Sequence, residues 1–71
     1  MAEYNGHKNW THWNVSLWIG NDESTYKRAV ELKRKYSAHK AAYILQQELP
    51  PKTPDGAAYS HVAVMAALRD L

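Results

Sequence analysis

Residues 9–21 read NWTHWNVSLWIGN, and whether this segment coils or extends decides the fold class. As a helix it gathers Trp10, Trp13 and Leu17 on one face, with Val15, Trp18 and Ile19 over much of the other. His12 and Ser16 form a narrow polar strip, and Asn14 stands among apolar positions. Asn9 or Thr11 can cap the start, and Gly20 with Asn21 supplies a C-terminal stop. The same β-branched and aromatic residues also suit a strand over 13–19. Strict alternation fails at Leu17, Trp18 and Ile19, so the helix is preferred. A helix that is apolar nearly all round belongs at the centre of its domain.

The next segment, 21–36 (NDESTYKRAVELKRKY), carries the clearest helical pattern. Asn21 or Asp22 can cap it, and Asp22 and Glu23 put negative charge in its first turn. Lys33, Arg34 and Lys35 put positive charge in its last, so both ends complement the helix dipole. Tyr26, Ala29, Val30, Lys33 and Tyr36 fall on one face, and Glu31 and Lys35 make a favourable i, i+4 pair. Ser37 is a cap for a third helix over 38–49, with Ala38, Ala41, Ala42, Leu45 and Leu49 as its apolar stripe. Ser37 is only a weak break, so the second and third helices read equally as two helices or one bent rod. Pro50 and Pro51 end the third helix. The stretch 50–56 (PPKTPDG) holds all three prolines and is a loop. The last helix, within 57–71, puts Val62, Met65, Leu68 and Leu71 on one side, capped by Ser60 or Asp55.

The expected fold is therefore all-α, a small single domain of three or four helices spanning 1–71. Residues 1–8 are an N-terminal arm with a turn at Asn5 and Gly6. The expected core is Trp13, Leu17, Trp18, Val30, Leu45, Val62, Met65 and Leu68. A chain of 71 residues buries only about 60 % of its unfolded surface, so that core must be dense. The same size leaves little room for both a core and a walled substrate pocket.

Composition narrows the function classes further. With 45 % hydrophobic and 23 % charged residues, the chain is too apolar for a disordered tail and too charged for a membrane span. No basic-then-apolar leader opens it. Cysteine is absent, which removes disulfides, thiolate zinc sites and thiol nucleophiles together. His7, His12, His39 and His61 lack the i, i+4 spacing of a helical zinc site. Ser16, Ser24, Ser37 and Ser60 lie in no nucleophile elbow, and the three glycines make no phosphate-cradling loop. No enzyme, no metal and no cofactor are expected. A formal net charge of +2 with only seven Asp and Glu also excludes a DNA mimic, which needs a dense acidic surface.

Two constellations remain for binding. Six of nine Lys and Arg residues lie within 27–40. Lys27, Arg28, Arg34, Lys35 and Lys40 are the candidate contacts for phosphate or an acidic protein surface. Read blandly, they are the solvated side of one helix. The three tryptophans serve first as core, since each buries on the order of 200 Å². Trp10, least enclosed by its own helix, is the candidate aromatic contact.

One stretch, 4–26 (YNGHKNWTHWNVSLWIGNDESTY), resembles small uncharacterised proteins of phages and other mobile elements. The matching positions are Tyr4, Asn5, Gly6, Asn9, Trp13, Asn14, Val15, Leu17, Trp18, Ile19, Asn21, Asp22, Glu23 and Tyr26. The loop Thr53, Pro54, Asp55 and Gly56 is similar to a motif near the end of such proteins. The Thr usual before the Trp is His12 here, with Thr11 one step earlier. That family has no settled function, so it transfers no catalytic residues. What the resemblance implies is context: a protein acting in a host cytoplasm by binding a host protein or ribonucleoprotein complex, for example as an anti-defence (anti-CRISPR) inhibitor. A nucleic-acid-binding module using the basic helix is the alternative. No membrane contact is expected.

Overall fold

A computed structural model of the chain describes residues 9–71. Four helices follow one another: α1 (Trp10–Asn21), α2 (Glu23–Lys35), α3 (Ala38–Glu48) and α4 (His61–Arg69). The fold is all-α, with no strand among the described residues. The N-terminal arm, 1–8, lies outside them. α4 packs most extensively on α1 and α3, while α2 lies against α3 and α1.

One capping device starts all four helices. Asn9, Asp22, Ser37 and Ser60 each accept a hydrogen bond from the backbone N–H three residues on, at His12, Thr25, Lys40 and Ala63. These bonds satisfy donors that the first turn leaves unpaired. Tyr36 and Ser37 are both extended, so α2 and α3 are two helices and not one bent rod. Of the two caps offered for α4, Ser60 takes the role, and Asp55 is used elsewhere.

α1 ends at Asn21, at the stop expected from Gly20 and Asn21, but neither residue acts as its C-cap. The helix runs through both, and Asp22 closes it by donating its N–H to the Trp18 carbonyl at 3.1 Å while its side chain caps α2. Gly20 is thus an ordinary helix residue with open space where a Cβ would sit. Gly56 is the opposite case: its φ is +94°, a conformation L side chains resist. Gly20→Ala is expected to stabilise the fold by about 0.5–1 kcal/mol. Gly56→Ala is expected to cost about 1–2 kcal/mol although its Cβ also meets nothing. Urea unfolding of the two variants checks this pair, and equal signs would refute it.

The core differs from expectation in its register. Val15, Ile19, Ala29, Leu32, Ala41, Ala42, Leu45, Ala63, Val64, Ala67 and Leu68 are buried, with Ala57 and Tyr59 from the last loop. Of the expected core, Leu45 and Leu68 are buried, while Trp13, Leu17, Trp18, Val30 and Met65 are half-buried. Val62 is 55 % exposed, because α4 turns its alanine-rich side inward. Ala63 and Ala67 of α4 join Ala41 and Ala42 of α3 in one core, and small residues let two helices approach closely. In α1, Val15 and Ile19 take the innermost places. Three indoles are too bulky for so thin a layer and ring its margin.

Candidate functional site

α2 turns one side outward, and the basic candidates divide there. Among the described residues, a shallow groove of about 420 Å³ is lined by Tyr26, Lys27, Val30, Glu31, Arg34 and Lys35. Their spacing explains the grouping: 26, 30 and 34 form one ridge of the helix, and 27, 31 and 35 the next. Tyr26 is exposed and Val30 half-buried, so an apolar strip runs beside the charges. Lys27 is paired with Glu23 at 2.9 Å. Arg34 and Lys35 have no ion pair or hydrogen bond among the described residues.

Arg28 does not share this availability. Its guanidinium forks onto Glu48 of α3, Nε to Oε1 at 2.8 Å and Nη2 to Oε2 at 2.6 Å, and its Nη1 reaches Glu31. Those bonds, Glu48 first and Glu31 second, hold the guanidinium protonated more firmly than usual. The Arg28 bond in turn holds the Glu48 carboxyl below its usual range. Arg28 is therefore a brace between α2 and α3. Glu31, expected to pair with Lys35, is taken by Arg28. Lys33 donates to the Leu71 carbonyl oxygen at 2.7 Å. Lys40, on α3, sits over the Tyr36 ring at 5.1 Å, a cation–π contact apart from the groove. Trp10, 39 % exposed at the start of α1, is not among the groove's lining residues. The structure thus brings Lys27, Arg34 and Lys35 together, and leaves Arg28, Lys40 and Trp10 outside.

A second cluster ties the 50–60 loop to α1. Asn14, 1 % exposed, donates Nδ2–H to Asp55 Oδ2 at 2.9 Å and accepts the Thr53 hydroxyl on Oδ1 at 2.6 Å. The Trp18 indole N–H donates to the same Asp55 oxygen at 2.9 Å. Thr53 Oγ1 accepts the Ala57 N–H at 3.0 Å, and the Thr53 carbonyl accepts the Gly56 N–H at 2.9 Å. Pro54 presets the turn between them. The donors on Asp55, Asn14 first and Trp18 second, hold its carboxyl below the usual range. The residues of the WNVSLW and TPDG stretches that looked like motifs are thus two halves of one clasp.

The histidines show a different arrangement. His39 of α3 and His61 of α4 bring their rings to 4.6 Å at a 59° tilt. Among the described residues, no group of three or more His, Asp or Glu is placed to hold a metal ion. None of the described helices is long and apolar enough to cross a membrane.

A family model matches residues 1–71. The chain belongs to DUF7249, a family of unknown function. No curated protein and no solved structure matches it. Membership agrees with the uncharacterised character of the sequences it resembles and assigns no chemistry to the groove or the clasp.

The basic stretch over 27–40 was visible in sequence, but its neutralisation by Glu48 was not. Glu48 is twenty residues away from Arg28, and only the antiparallel return of α3 brings it close. Asn14 carried a signal, a polar residue among apolar ones. Its partners required the fold.

Proposed function

We propose that the chain is a phage-encoded binding protein that inhibits or modulates a host protein or ribonucleoprotein complex by direct contact in the host cytoplasm. An anti-defence role, such as inhibition of a CRISPR effector complex, is the most concrete form of this reading. The observation that carries it is the outer side of α2, where Arg34 and Lys35 stand uncompensated beside Tyr26 and Val30. Arg and Tyr flanking an apolar strip are the residue types that anchor protein interfaces. Four helices held by a shared core offer such a side as a rigid surface, with little ordering cost on binding. No catalytic step belongs to the proposal.

The alternative, a nucleic-acid-binding module, has the same cations but a less favourable field. Glu23, Glu31 and Glu48 accompany Lys27 and Arg28, so the positive run over 27–40 is interrupted. Phosphate binding would show an affinity that falls with salt by roughly one logarithmic unit slope per contacted phosphate.

Charge reversal tests the surface. Arg28→Glu is a poor choice because it breaks the brace to Glu48. Arg34→Glu with Lys35→Glu removes no tertiary bond among the described residues and should leave the fold intact. Association with the complex captured from host lysate is expected to weaken by about tenfold or more, mainly through slower association. Undiminished association would rule out the α2 side as the interface. Binding to random DNA or RNA with a steep salt dependence would favour the alternative.

A further inference from the structure

The N-terminal end of α2 carries a feature of opposite chemistry. A cleft of about 240 Å³ lies where the α1–α2 junction meets the proline loop, lined by Trp18, Asp22, Leu49, Pro50, Pro54 and Tyr59, with Thr25 at its side. That volume is below the range of about 300–1,000 Å³ typical of sites for whole small molecules. It suits one side chain. Its walls are aromatic and proline rings, and its charge is the Asp22 carboxylate.

The bonding of that carboxylate leaves it an acceptor. The Ser24 hydroxyl, the Thr25 hydroxyl and the Thr25 N–H all end on Asp22 Oδ2. Oδ1 has no partner among the described residues. The same donors, the Thr25 hydroxyl first, hold the Asp22 carboxyl below its usual range, so it is ionised at neutral pH. Tyr59 feels that charge: burial first, and Asp22 second, push its phenol up. Trp18 is conditioned in the same direction. Its N–H is bound to the Asp55 carboxylate at 2.9 Å, and an anion on the N–H enriches the indole π-system that attracts cations.

We infer that this cleft takes the guanidinium side chain of an arginine from a protein partner. An arginine satisfies each wall at once. Its planar group stacks on the indole and proline rings, its N–H donors reach Asp22 Oδ1, and its stem lies on Leu49 and Pro50. A lysine ammonium carries the same charge but holds its water more tightly and cannot stack. The site is independent of the basic side of α2. Arg34 is twelve residues from Asp22, about 18 Å along the helix axis.

The test uses the ¹⁵N-labelled full chain and three blocked amino acids: N-acetyl-arginine methylamide, its lysine counterpart and its citrulline counterpart, which is nearly isosteric with arginine but neutral. The arginine compound is expected to shift the Trp18 indole N–H and the Thr25 amide saturably within about 20 mM, as suits one contact of a larger interface. Citrulline should give no saturable shift, and lysine should bind more weakly than arginine. Asp22→Asn keeps a good helix cap and is expected to weaken arginine binding about fivefold, the effect of losing one exposed charge partner. Absence of a saturable shift, binding of citrulline equal to arginine, or full affinity in Asp22→Asn overturns the site. Equal lysine binding overturns the guanidinium assignment. If Asp22→Asn disturbs the fold by circular dichroism, the comparison of arginine with citrulline on the unaltered chain decides alone.

Discussion

Replacing Asn14 with aspartate is expected to cost about 3 kcal/mol or more of folding stability at neutral pH. The two side chains have the same shape, so no cavity or clash contributes. What changes is one donor. Asn14 Nδ2–H now points at Asp55 Oδ2 from 2.9 Å, and an aspartate would put a second carboxylate oxygen there, at a position only 1 % exposed. Two carboxylates at that separation cannot both ionise. The variant's pH dependence should carry the signature. In the native chain the Asp55 pKa is lowered on folding, so its contribution is present above the unfolded value, near 3.9. It is lost only as pH falls further, through the folded pKa. In Asn14→Asp one carboxyl of the pair has its folded pKa raised. Folding then takes up a proton, and stability grows as pH falls from 7 towards about 4. Urea unfolding between pH 4 and 8 measures both curves, the native one falling and not rising as pH approaches 4, where the unfolded chain begins to protonate the carboxyls that folding holds low. A variant as stable as the native chain, or one with a parallel profile, would show that the clasp holds nothing.

The clasp also marks where reading the sequence stops. Helix existence and starts are local properties, and they were legible: an Asn, Asp or Ser before each apolar pattern, three residues ahead of the N–H it caps. The Pro and Gly loop was legible for the same reason. The inward side of each helix was harder, because tryptophan and tyrosine weigh heavily in any apolar face yet fit poorly into a four-helix core of this size. Leu32 shows the difficulty. It sits beside Lys33 and opposite Tyr26 in the sequence pattern, yet it is 2 % exposed while Tyr26 is 43 % exposed. The candidate site divides in the same manner. Composition located the cations over 27–40, whereas the pairing of Arg28 with Glu48, and of Asn14 with Asp55, depends on contacts twenty and forty-one residues apart. Separations of that kind leave no periodic trace.

α4 offers the sharpest energetic contrast, because its apolar residues range from full burial to more than half exposure within one helix. Leu68 is completely buried in the single core cluster, and Leu68→Ala is expected to cost about 2–5 kcal/mol, the transfer loss plus the cavity left behind. A domain of this length holds roughly 4–10 kcal/mol in all, at 0.05–0.15 kcal/mol per residue. The substitution should therefore leave much of the population unfolded near body temperature. Val64 and Val62 provide the internal control. They are chemically identical and two residues apart, which places them about 200° apart around the helix. Val64 is fully buried and Val62 is 55 % exposed. Val64→Ala should cost about 2 kcal/mol from its lost methyls and their cavity. Val62→Ala should change stability by no more than about 0.5 kcal/mol, with a gain favoured because alanine is the better helix former. Thermal and urea unfolding of the three variants measure the orientation of α4 directly. A larger cost at 62 would mean that the Val62 and Met65 side of α4 faces the core, the register first expected from the spacing of Val62, Met65 and Leu68, and equal costs would overturn the contrast in burial between the two valines.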